Sequence, residues 1–386
     1  MDFSFTEEQT MLRKMVRKFT DDEVRPRAAE ADMTQKLDRS LIKMAADLGL
    51  FGVVYPEEYG GGGMGEIGYC IALEELSKGC SSFVSTLGAS QSIGAMGIHL
   101  YGNDEQKKRY LTPCALGEKI ASFAVTEPNS GTDITNLQTT AREDGNYFIV
   151  NGAKQFITNG SFADAITVFA STDKTLGPKG YVALIVEKET QGLTIGKLEN
   201  KMGIRACDTA QIFFEDMKVP KENILGNIGD GYKIALRVLD YGRVSLGAQC
   251  LGPAKEALML ALDYSSSRIQ FGKPINRNQA IQIMLAEMAA TIYTMESIIY
   301  RTAWMVDSNM PFSKEASIVK MYCTEGLDFI VDKALQIFGG YGYLNDHSIE
   351  RLYRDSRINR IVEGSSEIQR ILIANALIRD GLELSI

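Results

Sequence analysis

The sequence is poor in histidine, with only His99 and His347 in 386 residues. Two histidines leave few general bases for a serine or cysteine hydrolase. Without a Cys-x-x-Cys pair they also cannot be drawn into a zinc cage by local spacing. The six cysteines (Cys70, Cys80, Cys114, Cys207, Cys250 and Cys323) are scattered, as expected for small core residues in a reducing compartment. A basic block is missing too: 41 Lys and Arg against 49 Asp and Glu give a net charge of −8. That balance is a poor basis for displacing counterions from nucleic acid. No apolar run approaches the ~18–20 residues needed to cross a bilayer. Met1-Asp2-Phe3-Ser4-Phe5 lacks the basic flank and apolar stretch of a signal peptide. A cytoplasmic location is therefore expected, or the mitochondrial matrix for a processed eukaryotic chain. No internal repeat or low-complexity stretch is found.

What remains is ordinary globular material, 45% hydrophobic and 23% charged, long enough for two or three domains at about 150 residues each. The periodicity changes twice. Up to Pro113 it is helical: Met11, Leu12, Met15, Val16 and Phe19 recur at steps of three and four, and Thr6 with Gln9 has capping-box spacing. Further helices are expected over 38–48, ended by Gly49, then over 69–77 and 104–111. Between Ile120 and Leu225 the period becomes two. The β-rich runs 147–150, 165–170, 181–186 and 212–214 are separated by turn chemistry such as Asp144-Gly145-Asn146 and Asn159-Gly160. An antiparallel sheet is expected there, and the absence of βαβ alternation disfavours a doubly wound nicotinamide-binding fold. After Gly231 helical stripes return, one from Leu236 to Leu262 and another from Ile281 to Ile292. They suggest a bundle with more apolar surface than one chain buries, hence subunit packing. The expected class is α+β: an N-terminal helical domain (1–118), a middle antiparallel β domain (119–228) and a C-terminal four-helix bundle (229–386).

Gly60, Gly62 and Gly65 satisfy G-x-G-x-x-G literally, but no strand leads in and no second strand with a closing acid follows. A flexible loop is the better reading.

Four segments carry more information together than apart. Phe123 to Asp133 reads FAVTEPNSGTD, a strand running into a Pro/Asn/Ser/Gly turn whose amides and hydroxyls could hold a polar ring edge or a phosphate. Lys154 to Gly160 reads KQFITNG, a strand entering an Asn-Gly turn. Arg268 to Pro274 reads RIQFGKP, followed by Gln279 and by Gln336-Ile337-Phe338-Gly339-Gly340. Taken singly, these are a surface arginine and a glycine pair closing a helix. Arg360 to Arg370 reads RIVEGSSEIQR; a glutamate before glycine at a helix start is most often solvated. In the order and spacing found here, they resemble the acyl-CoA dehydrogenase family over essentially the whole chain.

That resemblance implies an FAD enzyme, a homotetramer built as a dimer of dimers, which passes electrons from an acyl-CoA to an electron-transfer flavoprotein. By the same carry-over, Phe123, Val125 and Thr126 meet the flavin pyrimidine edge, and Thr132 lies near substrate and flavin phosphates. Hydrogen bonds at that edge stabilise the charge that reduction places there. Phe156, where the family often has Trp, flanks the isoalloxazine with Ile157, while Thr158 approaches N5. Arg268, Gln270, Phe271, Gln279, Gln336, Ile337, Gly339 and Gly340 are implied to grip the FAD of a neighbouring subunit, Arg268 by its fit to phosphate oxygens. Ser365 and Glu367 are expected near the ring.

Glu363 is implied to be the catalytic base, taking the α-proton of the thioester while the β-hydride passes to flavin N5, giving a 2-enoyl-CoA. Some family branches carry the base at the position of Gly242, where this chain has no side chain to titrate. Tyr241, Arg243, Val362 and Gly364 are expected to line the substrate. Val362 replaces a frequent Tyr, which should leave room for a branched or ring-bearing acyl group unless a neighbour such as Phe83 or Tyr241 fills it. The same site could saturate an enoyl-CoA. An acyl-CoA oxidase is disfavoured because the chain ends at Ile386, soon after the last motif. A non-catalytic relative is disfavoured by the retained Glu363, Thr126, Thr158 and Arg268. No metal is expected.

Overall fold

The computed structural model describes residues 4–381; Met1, Asp2 and Phe3 of the N-terminal pentapeptide, and Ile386, lie outside them. Helix α1 (Glu7–Phe19) starts where the capping box puts it. Thr6 Oγ1 accepts from the Gln9 amide at 3.2 Å, and Gln9 Oε1 accepts from the Thr6 amide at 3.1 Å. Its buried stripe is Leu12, Val16 and Phe19, with Met11 left in solvent. A π-helical turn leads into α2 (Arg25–Thr34), and α3 (Ser40–Asp47) lies inside the expected 38–48 span.

Helix α4 (Gly65–Ser77) begins four residues before the expected start, inside the glycine-rich loop. Its cap comes from a distant part of the chain. Asp307 accepts from the amides of Glu66 and Ile67 at 2.6 and 3.0 Å, satisfying free N–H groups and opposing the helix dipole. Next come α5 (Ser81–Gly88), a π-helical segment (Ala89–Ala95) and α6 (Met96–Tyr101). The single helix expected over 104–111 is instead α7 (Asp104–Gln106) and a π-helical turn (Lys107–Leu111), which run on into α8 (Thr112–Ala115).

The middle region is one eight-stranded sheet. Its strands are β1 (Ala121–Ala124), β2 (Thr140–Asp144), β3 (Tyr147–Thr158), β4 (Ala165–Ser171), β5 (Tyr181–Glu187), β6 (Leu193–Leu198), β7 (Thr209–Pro220) and β8 (Ile224–Leu225). The order is β6-β7-β3-β2-β4-β5-β8, with β1 beside β4. The sheet is therefore mixed, not wholly antiparallel, because β1 runs parallel to β4 and one parallel bridge joins β2 to β4. An alternation of apolar residues cannot reveal strand direction. Here direction is fixed by the entry to β1, where the Ile120 amide donates to Asp164 Oδ2 at 2.8 Å and the Ile120 carbonyl accepts from the Asp164 amide at 2.7 Å.

The last region is helical: α9 (Gly231–Ser267), a small hairpin of β9 (Ile269–Gln270) and β10 (Lys273–Pro274), α10 (Gln279–Asp307), α11 (Ser313–Phe338), α12 (Ser348–Ser356) and α13 (Ser366–Asp380). Val244, Leu251 and Ala254 of the expected stripe are buried on α9, while Leu262 is exposed. The outer face of α10 leaves Ile283, Tyr293 and Trp304 in solvent, an apolar surface of the kind that covers a partner. Among the described residues no helix is long and apolar enough to cross a membrane, and no cluster of potential metal ligands occurs.

Candidate active site

The site forms where three parts of the chain meet. The π-helical segment Ala89–Ala95 is the common wall, and such bulges often mark functional positions. On one side the sheet docks on it: Ser90 Oγ accepts from the Ala121 amide at 2.9 Å and Thr167 Oγ1 donates to the Gly94 carbonyl at 3.2 Å, while Asn159 Nδ2 donates to the Thr86 carbonyl of the preceding helix α5 at 2.9 Å. On the other side lie α9 and the loop 361–365. A Cβ placed on Gly242 would strike Glu363 Oε2, with the carboxyl carbon at 3.0 Å and Ile93 Cγ2 at 2.9 Å. The bare backbone of Gly242 is thus the floor on which the Glu363 carboxylate rests.

Glu363 adopts φ 55° and Gly364 φ 89°. A left-handed glutamate costs energy, and two side chains hold it there. Gln369 Nε2 donates to the carbonyls of Glu363 and Gly364 at 3.2 and 3.0 Å, and Arg243 Nε approaches the Glu363 carbonyl at 3.4 Å. Ser365 is the N-cap of α13, its side chain accepting from the Ile368 amide at 3.4 Å. Glu363 Oε2 is inaccessible and has no partner within the chain. Burial raises its carboxyl from 4.5 to about 7, against the opposing pull of Arg243 and then Lys320. A carboxylate so placed exchanges protons near neutrality.

Arg243 is buried and reaches two partners. Nη1 pairs with Asp240 Oδ1 at 3.0 Å, a salt bridge one helical turn away, while Nε faces Glu363. Asp240 is tied in turn to Ser313. The Tyr241 ring packs edge-on against Phe312 at 5.1 Å, with the Arg237 guanidinium over both rings. Phe83 packs against Phe19 in the N-terminal core. Val362 is 37% exposed.

On the sheet side, a buried ion pair joins two of the motifs. Lys154 Nζ donates to Glu127 Oε1 at 2.8 Å and to the Val125 carbonyl at 3.0 Å, and the Gln155 amide donates to the Thr126 carbonyl at 2.9 Å. Glu127 also accepts from the amides of Gln138 and Thr139 at 2.5 and 2.9 Å. The loop carrying Thr126 is thereby fixed beside the strand end carrying Phe156 and Thr158. Phe156 has φ 58° at an irregularity in the β3–β7 register and is 62% exposed. Phe123 is 8% exposed and packs on Phe169 at 4.9 Å, and Val125 and Ile157 are buried as well. Any part these three play in holding a ligand falls mainly to their backbone. Thr132 is exposed.

The remaining residues lie elsewhere. Arg268 follows the last turn of α9, under the Tyr341 ring at 5.2 Å; Gln270 and Phe271 sit on the hairpin; Gln279 opens α10; Gln336, Ile337, Gly339 and Gly340 close α11. Phe271 is 97% exposed. Gly339 has φ 61° as the cap of α11, and a Cβ on it or on Gly340 would meet nothing within 4 Å. At 1.5 Å per residue, Arg268 lies roughly 39 Å along α9 from Gly242. The residues singled out in the sequence therefore fall into two separate groups on this chain.

Sequence reasoning missed Gln369, Asp240 and Lys320. The visible signal for Lys320 was a lysine interrupting the apolar line Ala316, Val319, Cys323 on α11. Gln369 stood inside a quoted motif, but only the fold shows that it grips the Glu363 backbone.

A flavin dinucleotide needs a flat surface for its ring, polar groups at the ring edge, and cations with open backbone for its phosphates. The exposed Phe156 and Phe271, the fixed Thr126 loop, Arg268 and the open glycine pair supply these kinds of surface, in two halves. Three family descriptions match the chain: acyl-CoA dehydrogenase N-terminal domain over residues 6–118, middle domain over 122–217 and C-terminal domain over 229–378. The short-chain-specific acyl-CoA dehydrogenase of Clostridium acetobutylicum is 42% identical, covering 98% of this chain and 100% of that one. The acryloyl-CoA reductase (NADH) of Anaerotignum propionicum is also 42% identical, with coverages of 98% and 96%. Among solved structures, a chain in the structure of the electron transferring flavoprotein of Acidaminococcus fermentans superposes with a TM-score of 0.97 at 43% identity, covering 98% and 100% of the two chains. An acyl-CoA dehydrogenase from Bacillus anthracis complexed with FAD gives 0.93 at 40%, covering 98% of this chain and 68% of that one.

Proposed function

This chain belongs to the acyl-CoA dehydrogenase family, and from that premise we propose that Glu363 is the base with which it desaturates an acyl-CoA thioester between Cα and Cβ. The observation that carries the assignment is the Glu363 carboxylate, inaccessible at Oε2, without a partner, and raised to about 7 over the floor at Gly242. The enzyme is an FAD-dependent oxidoreductase. The chemistry FAD supplies when bound is acceptance of two electrons as a hydride.

The chain's own residues do the rest. Glu363 takes the α-proton onto its carboxylate, and the dry setting that raises its proton affinity makes that transfer possible at neutral pH. Gln369 and Arg243 hold the left-handed backbone from which the carboxylate projects, so it is oriented before substrate arrives. The Lys154–Glu127 pair keeps Thr126 and Phe156 as a fixed wall, and Val362, Ile93 and Tyr241 surround the acyl side. Because valine stands next to the base, the pocket should accept an α-branched or ring-bearing acyl group.

Arg268, Gln270, Phe271, Gln279, Gln336, Ile337, Gly339 and Gly340 serve the cofactor of an adjoining subunit in a homotetramer. The roughly 39 Å along α9 and the exposed apolar face of α10 support that reading. An electron-transfer flavoprotein as acceptor is supported by the A. fermentans neighbour, and a cytoplasmic location by six free, buried cysteines that suit a reducing compartment. Saturation of an enoyl-CoA at the same site is the second reading, and the observation behind it is the likeness to an acryloyl-CoA reductase.

Anaerobic titration with straight, α-branched and alicyclic acyl-CoAs tests the reading by the loss of the oxidised flavin spectrum. Bleaching is expected with the native chain and not with Glu363→Gln, which should still bind flavin. Turnover retained by E363Q would end the assignment, and a strong preference for straight butyryl or hexanoyl chains would end the inference from Val362.

A further inference from the structure

Lys320, on α11, is fully buried, and its Nζ has no hydrogen-bond partner. An ammonium withdrawn from water without an acceptor is costly, so structures rarely keep one without a use. Three other inaccessible atoms without a hydrogen bond within the chain lie in one short stretch: Glu363 Oε2, Gln369 Oε1 and Ser366 Oγ, the last beside the Glu325 carboxylate of α11. Ser366 and Gln369 form the first turn of α13, which packs against α11. The set is chemically complementary: three N–H donors on Lys320, a hydroxyl that gives and accepts, and two oxygens that accept. Unmatched polar atoms of this kind, gathered in one interior region, are what ordered water bridges.

The charges around Glu363 single out Lys320. From α9 come Arg243, already paired with Asp240 at 3.0 Å, and the Cys250 thiol; from α4 comes Tyr69. Glu367, in the first turn of α13, acts on Lys320. Arg243 pulls harder on Glu363 but already has a counter-ion in Asp240, whereas the Lys320 ammonium has no hydrogen-bond partner of its own. Glu363 is the strongest negative influence on the ammonium, which burial pulls down to about 8.

We propose that Lys320 is a positioning residue for Glu363, its ammonium reaching the carboxylate through water shared with Ser366 and Gln369, holding it over Gly242 and keeping it ionised. This rests on Glu363 being the base. The carboxylate thus has a rear anchor that never touches substrate.

The test is the pH profile of kcat/KM for the holoenzyme, with Lys320→Met, Lys320→Arg and Glu363→Gln compared. Losing an opposite charge shifts a carboxyl upward by about one pH unit when water lies between them. K320M should therefore move the acidic limb up by about one unit and leave flavin content unchanged, while K320R keeps the native limb. A purely structural lysine would lower thermal stability and flavin content without moving the limb. An unmoved limb in folded K320M overturns the proposal. If K320M does not fold, Ser366→Ala removes the bridging hydroxyl alone; a limb shifted upward supports the network, and an unchanged one overturns it. E363Q separates the two ideas, because turnover by E363Q refutes the base, whereas an inactive E363Q with a native profile in K320M refutes only the anchor.

Discussion

Replacing Lys154 with methionine should separate the two motifs proposed to face the flavin ring. The lysine and Glu127 side chains are 0% and 2% exposed, and the ammonium donates at 2.8 Å to the carboxylate and at 3.0 Å to the Val125 carbonyl. Lys154→Met keeps the length and packing of the side chain but leaves Glu127 charged in the interior, with only the amides of Gln138 and Thr139 to hold it. Removing one partner of a buried pair costs about 3–5 kcal/mol. At roughly 2–4 °C per kcal/mol for a domain of this order of size, the melting temperature should fall by about 6–20 °C. The double variant Glu127→Gln/Lys154→Met removes both charges and should regain much of that loss, giving a coupling energy of at least about 1 kcal/mol. The Val125–Thr126 segment is tied to β3 through the same lysine, so flavin should leave K154M at a lower temperature than the native enzyme. Differential scanning calorimetry with parallel flavin fluorescence measures both quantities. A K154M protein that melts within about 1 kcal/mol of native stability and retains its flavin would refute the reasoning.

Two further outcomes follow from Glu363. Its carboxyl lies near 7 in the fold against 4.5 unperturbed, so the folded state holds the proton more tightly than the unfolded chain. That contribution is complete below pH 4.5 and is lost as pH rises through about 7; flavin-free E363Q should therefore be more stable than the native apoprotein above pH 7, by at most roughly 3 kcal/mol, as read by urea unfolding at pH 5 and pH 8. Equal differences at both pH values would contradict it. Gly242→Ala places a methyl where the carboxylate rests; displacing the base by about 1 Å should lower kcat by about 100-fold with flavin content unchanged, and near-native kcat would show that the carboxylate rests elsewhere.

The sequence spoke clearly wherever local chemistry decides. Thr6 and Gln9 cap a helix by themselves, and Asp144-Gly145-Asn146 turns a hairpin whatever surrounds it, Gly145 taking φ 58°. The motif around Glu363 was legible because its residues adjoin one another. What stayed hidden depends on long reach. The start of α4 is set by Asp307, far along the chain, and the parallel pairing of β1 depends on a contact with Asp164. The strand through Phe156 reads as regular, yet its backbone turns left-handed there. Lys320 and Gln369 gain their meaning from which atoms face them, and spacing along a helix shows only which side of it they occupy.

The length of α9 between Gly242 and Arg268 also bears on inheritance. If the subunits share their cofactors, no polypeptide owns a complete catalytic centre, and each lends one half outward while borrowing another. A copy damaged at Glu363 and a copy damaged at Arg268 can then meet in one assembly and rebuild a sound centre between them. Two faulty alleles at distant codons can therefore compensate for each other, whereas two at the same codon cannot.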